Sequence, residues 1–338
     1  MTVAKDADDL GRLALARGTL DRATEKRSDK AWLETAWADP RTRVLTVDAG
    51  KAPVRFSAGH DPELVLVPPA EVPADAVRYL LGQDADGVVY FAVHAPVPPA
   101  QPGQPVQPSL DGWGIGKDSP DGVREASLRS VGALLSDRDA GMMTHAVALD
   151  NWHATHTHCP RCGAATIVQP GGHSARCPVD GTEHFPRTDP AVIMLVTDPE
   201  DRCLLGRNAA WPERRFSILA GFVDPGESAE QAVVREVHEE TGVTVRNVRY
   251  LSSQPWPMPR SLMLGFRADA PAGQHISVDH AELTEAIWFT RAELLAAIEA
   301  GELMIAPPVS IARRIIESWY GGELPTPAAP ERGRPARG

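Results

Sequence analysis

The feature that most constrains this chain is one short segment, GFVDPGESAEQAVVREVHEETGV, residues 221–243. Pro225 and Gly226 make a loop, and Glu227 stands near a helix N-terminus, where negative charge is favoured. Gly242 fits the position that ends the helix. At about 100° per residue, Glu236, Glu239 and Glu240 fall within an arc of roughly 100° on one helical face. Ala229 and Ala232 share that face and leave space above it. Val233, Val234 and Val237 lie on the neighbouring face and are expected to pack on a sheet. Crowded carboxylates repel unless cations lie between them. An oxygen-only ligand set suits Mg²⁺ or Mn²⁺, which lower the pKa of bound water and bridge phosphate oxygens.

The rest of the chain must accommodate that helix. Its 338 residues are enough for two or three domains. Hydrophobic residues at 43% and charged residues at 23% exclude wholesale disorder. With 34 Lys and Arg against 45 Asp and Glu, the net charge is −11. That balance argues against a general binder of nucleic acid or anionic membrane, whose affinity comes from clustered positive charge. MTVAKDADDLGRLALARG, at the N-terminus, has no continuous apolar stretch of the kind a signal peptide needs, and nothing approaches the length of a membrane span. A cytoplasmic location is expected.

Turn residues separate short β-type runs at 42–47, 64–67 and 88–93, as in a small β-rich domain over 1–125. Within it, 96–109 is rich in proline and reads as a linker. Residues 136–154 have the near-helical spacing of an amphipathic connecting helix, within 126–157. After a cysteine-bearing stretch, AVIMLV and CLLGRN, joined by TDPEDR, read as a hairpin, with Cys203 in its apolar run. A further strand is expected near 245–251. Residues 321–338 are Pro-, Gly- and Arg-rich and read as a disordered tail. No internal repeat is visible.

Residues 158–181 read HCPRCGAATIVQPGGHSARCPVDG. Cys159 and Cys162, followed by glycine, form half of a zinc ribbon, in which a tight turn brings two thiolates to one ion. Cys177 opens a second half, but the position three residues on is Asp180. Zinc accepts carboxylate oxygen or imidazole nitrogen, so Asp180, His184, His173 or His158 could complete the tetrahedron, with Asp180 slightly ahead of His184. The competing expectation is a degenerate ribbon that holds its shape without metal.

The 221–243 segment resembles the Nudix box at Gly221, Glu227, Arg235, Glu236, Val237, Glu239, Glu240, Gly242 and Val243. That resemblance implies an α+β fold: an α/β/α Nudix sandwich over 188–320, beside a zinc ribbon at 158–187 and the N-terminal β-rich domain. It implies metal-dependent hydrolysis of a nucleoside diphosphate linked to another moiety. Glu236, Glu240 and the Ala220 carbonyl carry over as metal ligands, and Glu240 or Glu239 as the group that orients water. Arg235 and Glu227 carry over as the pair that pins the helix to its loop.

Beyond the box comes SQPWPMPRS, residues 253–261, whose prolines fix the backbone and hold Trp256 where an indole could stack on a substrate ring. At this distance from the box, the motif resembles that of the NADH pyrophosphatase family, with Met258 where the family usually has Phe. The resemblance covers about 125–320. It implies a substrate loop of Gln254, Pro255, Trp256, Pro257, Met258, Pro259, Arg260 and Ser261. It also implies substrate positions at Phe185 and Ala312, and a phosphate-binding Arg129, for which surface salt bridging is the competing expectation. A further metal ligand is implied at Glu282, with Glu285 the competitor.

The implied reaction converts NAD(H) and water to NMN(H) and AMP. Removal of NAD caps from RNA 5′ ends is also implied, with Arg260, Arg267, Arg313 and Arg314 as contributors to a local basic strip. A homodimer is expected. The alternatives are a broader hydrolase of ADP-ribose or dinucleoside polyphosphates, and a nucleotide-binding regulator on a retired Nudix fold.

Overall fold

The structure, a computed structural model, describes residues 10–96, 121–278, 280 and 282–326. The first nine residues, most of the proline-rich stretch and the tail from 327 onward lie outside the described residues. Among the described residues no helix is long and apolar enough to cross a membrane.

The N-terminal part is more than β-rich. After α1 (Lys30–Ala38) come β1 (Arg43–Val47), β2 (Lys51–Phe56), β3 (Glu63–Leu64), β4 (Arg78–Gln83), β5 (Val89–His94) and β6 (Gly122–Ser127). β5 lies between β1, which is parallel to it, and the antiparallel β4, while β2 pairs with β3 and β6. Strand alternation gives this sheet two apolar faces. Val44, Leu80, Phe91 and Val93 pack with Leu33 and Ala36 of α1. Leu45, Val47, Leu81 and Ala92 face the opposite way, into a second core.

That second core is closed by α3 (Asp137–Thr155), which follows the short α2 (Leu128–Val131). Met142, Met143, Ala146, Val147 and Leu149 of α3 are all buried there. The helix at first sight a connector is therefore one layer of the N-terminal domain. Ser136 starts it, with its side chain accepting from the Asp139 N–H at 3.2 Å.

The ribbon is a three-stranded antiparallel sheet of β7 (Ile167–Val168), β8 (Ala175–Arg176) and β9 (Glu183–His184). The last domain runs through β10 (Asp189–Thr197), β11 (Cys203–Asn208), β12 (Leu219–Phe222), α4 (Ala229–Thr241), β13 (Arg246–Trp256), β14 (Ser261–Asp269), β15 (Leu283–Phe289), α5 (Arg291–Glu299) and α6 (Ile311–Tyr320). Its six-stranded sheet has the order β13-β14-β10-β11-β15, with β12 also paired to β10. The expected β10–β11 hairpin is present.

Alternation along β10 sorts its side chains between two helical layers. Val192, Met194 and Val196 meet Val233 and Val237 of α4. Ile193 and Leu195 join Cys203, Leu294, Ile298, Ile315 and Ile316 on the α5 and α6 side. This is the α/β/α sandwich, with Cys203 as core packing, fully buried, its thiol pushed up by that burial. Val234, expected on the sheet-facing side of α4, is instead exposed, because the buried arc is narrower than three valines. The start of the tail is also ordered. Leu324 is buried, its N–H bonds Glu317 at 3.2 Å and its carbonyl accepts from Arg313.

Two contacts join the domains at the turn between β13 and β14. Trp256 and Met258 pack against the α3 core, and Asn151 of α3 donates to the carbonyls of Pro257 and Pro259 at 2.8 and 3.2 Å. Leu10 and Leu13 lie in the core of the last domain, whereas Leu15 lies in the N-terminal one. Gly18, just beyond, touches Gly141 in the middle of α3, and a Cβ at 141 would overlap the Gly18 backbone.

Gly141→Ala therefore sets two effects against each other. Helix propensity would favour alanine by about 1 kcal/mol. Overpacking against backbone costs roughly 1–3 kcal/mol and should win. Urea unfolding should show a net loss of stability, and a variant at least as stable as its parent would contradict this packing.

Candidate metal and substrate site

β12 and α4 deliver the carboxylates. Ser228 caps α4 in a reciprocal capping box with Gln231, and Gly242, at φ 70°, ends it in the left-handed region. Glu236 and Glu240 point inward and are 8% and 6% exposed. Glu282, entering from the segment before β15, completes a group whose ligand atoms all lie within 4.8 Å of one another. Glu285 is not in this group; it faces Arg207 across the β11–β15 pair at 3.7 Å. Ala220 is exposed on β12, in register with Ile193.

Arg235 organises the surroundings. Its guanidinium donates to Glu227 at 2.9 and 2.8 Å, to Glu236 at 2.8 Å, to Glu239 at 2.9 Å and to the Phe222 carbonyl at 2.9 Å. Arg235 holds the Glu227 carboxyl below its ordinary range, helped by the Asp224 N–H. Glu236 goes the other way. Burial raises its pKa, Arg235 opposes the rise, and the charges of Glu239 and Glu282 add to it. Oxygen ligands this close, with ionisation of Glu236 disfavoured by burial, fit a hard divalent cation that restores its charged form.

Gly221 leaves the space that the Glu236 carboxyl group fills, because a Cβ there would displace that group. Phe222, the next residue, is 58% exposed, its carbonyl accepts from Arg235, and motif spacing gave no reason to select it. The only sequence signal was the strand alternation that turns residue 222 away from the core.

The hairpin expected to hold substrate consists of the ends of β13 and β14, paired Trp256 to Ser261, and the turn between them, with a cis Met258–Pro259 bond. Its residues divide by orientation. Pro255 and Trp256 are partly exposed, and the Arg129 guanidinium lies 5.2 Å from the Trp256 ring centroid. Arg129 thus meets an aromatic face, not a surface carboxylate. Gln254 is fully buried. Its amide donates to the Val309 carbonyl at 3.0 Å and accepts from the Leu15 N–H at 3.2 Å, so both ends of the side chain are engaged within the protein. Ala312 is likewise 1% exposed, in the α6 core, with its N–H bonded to Ser310 at 3.2 Å. Phe185 is 65% exposed on the ribbon.

The four arginines expected in a basic strip each have partners within the protein. Arg260 bonds Asp189 at 2.7 Å, Arg313 is buried against Glu317 at 2.7 Å, and Arg314 bonds the same glutamate at 3.1 Å. Arg267 reaches Ser318 at 3.4 Å.

The ribbon has two matching turns. Cys159 to Gly163 and Cys177 to Gly181 each close with a glycine N–H to cysteine carbonyl bond, at 2.9 and 3.1 Å. Both glycines take positive φ, 74° and 72°. Asp180 therefore occupies the place in its turn that Cys162 occupies in the other. The ligand atoms of Cys159, Cys162, Cys177 and Asp180 lie within 4.8 Å of one another, with the Cys162 and Cys177 sulfurs 3.4 Å apart. Burial pushes the Cys159 thiol up, but the Arg161 and Cys162 N–H groups and His184 bring it down to about 7. His173 is committed elsewhere, 2.8 Å from the Leu80 carbonyl, and His158 bonds Thr157 at 2.8 Å. Three soft thiols and one carboxylate in this arrangement fit a tetrahedral zinc ion.

Comparison with known proteins agrees with this layout. Residues 187–306 match the NUDIX domain model, residues 154–185 the NADH pyrophosphatase zinc ribbon, and residues 37–152 an NADH pyrophosphatase-like rudimentary NUDIX domain. The chain is 41% identical over 325 residues to the NAD-capped RNA hydrolase NudC of Mycobacterium bovis, covering 91% of this chain and 95% of that protein. It is 41% identical over 197 residues to the human NAD-capped RNA hydrolase NUDT12, covering 55% of this chain and 42% of that one. A NUDIX hydrolase structure from Nitrosomonas europaea aligns with a TM-score of 0.38 at 22% identity, over 50% of this chain and 95% of that one.

Gly221→Ala should leave the fold intact by circular dichroism while displacing Glu236. An ångström-scale misplacement is worth about 10²-fold in rate. Turnover at saturating Mg²⁺ should fall by at least that factor, and a variant of parental activity would show that Gly221 is not what seats Glu236.

Proposed function

The chain belongs to the Nudix hydrolases of the NADH pyrophosphatase family, and from that membership we propose that it cleaves the pyrophosphate of NAD(H) to NMN(H) and AMP, and removes NAD caps from RNA 5′ ends. The observation that carries this reading is the convergence of Glu236, Glu240 and Glu282 within 4.8 Å, in the domain that also presents the Trp256 hairpin.

Glu236, Glu240, Glu282 and the Ala220 carbonyl would hold Mg²⁺ or Mn²⁺. When bound, such ions supply an activated water and neutralise pyrophosphate oxygens. The protein's own residues do the rest. Arg235 fixes Glu236 and Glu239 by direct hydrogen bonds, so neither carboxylate must be ordered during the reaction. Glu239, outside the ligand group and held on its rim, is the side chain we assign to receive the proton of the attacking water, with Glu240 the competitor. Trp256, Phe185 and Phe222 offer aromatic faces to the nicotinamide and adenine rings, and Arg129 sets the Trp256 ring. Met258, turned into the N-terminal core, supports the hairpin from below.

A homodimer fits the exposed apolar side chains of the ribbon: Ile167, Val179 and Phe185 are 59%, 72% and 65% exposed. Cysteines held as thiols suit the reducing cytoplasm.

Two experiments test the reading. Product analysis with NADH, NAD⁺, ADP-ribose, diadenosine polyphosphates and NAD-capped RNA should show cleavage of the NAD pyrophosphate and of the cap. Glu240→Gln should abolish it with the fold retained. Efficient ADP-ribose cleavage with NADH hardly touched would replace it with the broader hydrolase. For the ribbon, purified protein should carry close to one zinc per chain. Asp180→Ala should lose it to a chelator that leaves Asp180→Cys loaded. Loss from His184→Ala instead would move the fourth ligand to His184.

A further inference from the structure

We propose that Asn208 and Thr284 are positioning residues of the carboxylate site: from the facing strands β11 and β15 they fix the backbone that holds Glu282 against Glu236 and Glu240. The role rests on Glu282 being a metal ligand, as proposed above. Glu236 and Glu240 share the frame of α4 and are buried. Glu282 has no such frame. It is exposed and stands just before the first residue of β15, yet its carboxylate lies within 4.8 Å of theirs. Ordering an exposed side chain outside a helix or strand costs backbone and rotamer freedom, so its place must be set by the contacts of its own main chain.

Two devices supply those contacts. The first is a bulge. Gly206 pairs with Ala286 and Arg207 with Glu285, but Asn208 pairs with Leu283, so Thr284 is an extra residue in β15. The Thr284 hydroxyl donates to the Arg207 carbonyl at 3.1 Å and pins the bulge. Its effect is a change of face. Ala286 and Trp288 alternate toward α4, and Leu283, which strict alternation would send to the other face, joins them in the α4 core. The second device is a turn. The Ala209 N–H donates to the Glu282 carbonyl at 3.0 Å. Asn208 sets that N–H in place: its side-chain oxygen accepts from the Ala210 N–H at 2.9 Å, and its carbonyl from the Trp211 N–H at 3.0 Å. None of these bonds involves α4, so both residues act on the metal site through Glu282.

The test is Mn²⁺ affinity without substrate, read from the electron paramagnetic resonance signal of the free ion. Asn208→Ala removes the side-chain acceptor and should weaken binding about tenfold, the effect of losing a group that orients a ligand. Thr284→Val removes the hydroxyl and should act in the same direction; it carries the test if Asn208→Ala fails to fold by circular dichroism. In a Glu282→Gln background neither substitution should weaken Mn²⁺ binding further, because the ligand they act through is already changed. Parental Mn²⁺ affinity in both variants, beside weakened binding in Glu282→Gln, overturns the positioning role and leaves Glu282 a ligand. Equal weakening with and without Glu282 also overturns it, since the two residues would then act by general destabilisation. Parental affinity in Glu282→Gln removes Glu282 from the ligand set, and the positioning role falls with it.

Discussion

Arg235 reaches Glu227, Glu236, Glu239 and the Phe222 carbonyl from a single side chain, and the loop, helix and strand edge of the carboxylate site all depend on it. Three carboxylates against one guanidinium is not a stability device of the ordinary surface kind, since exposed pairs contribute little. Its effect is positional. Glu227 belongs to the loop before the cap of α4, and Phe222 ends β12, so one planar donor fork fixes the relation of three backbone segments. Gly221 makes the arrangement possible by leaving the volume that the Glu236 carboxyl group fills.

The carboxylate helix was legible because its chemistry is periodic: the same spacing that puts Glu236 and Glu240 together puts Val233 and Val237 under the sheet. The clustering of Cys159, Cys162, Cys177 and Asp180 was legible for a similar reason, two short turns of matching sequence. Side-chain direction in the hairpin was not. Motif resemblance placed Gln254 and Ala312 at the substrate, yet strand and helix geometry turns both inward, where Gln254 satisfies backbone groups of two distant segments. Phe222 escaped notice for the opposite reason, since alternation pointed it outward from a motif otherwise defined by small and charged residues.

The N-terminal domain shows how architecture can outlast motif. Its sheet carries helices on both faces, α1 on one and α3 on the other, as the sheet of β10–β15 carries α4 against α5 and α6. The layering repeats while the box residues do not, so no repeat is visible in the letters. What persists is the alternation of apolar residues in β1, β4 and β5, a pattern any two-sided sheet requires. The floor of the hairpin is borrowed from this domain, because Trp256 and Met258 rest on its core.

The buried amide of Gln254 has a consequence for the order in which the enzyme is made. It ties residue 15 to residue 309, with sequence separations of 239 and 55 from Gln254 itself. A chain emerging from the ribosome holds the first partner early, the amide much later and the last partner near the end. The tie through Gln254 is therefore complete only once Val309 has been made, although the N-terminal layers can fold well before. A nascent chain that already contains the whole carboxylate helix has made most of the core on which Trp256 and Met258 will rest, but not yet the hairpin that rests on it.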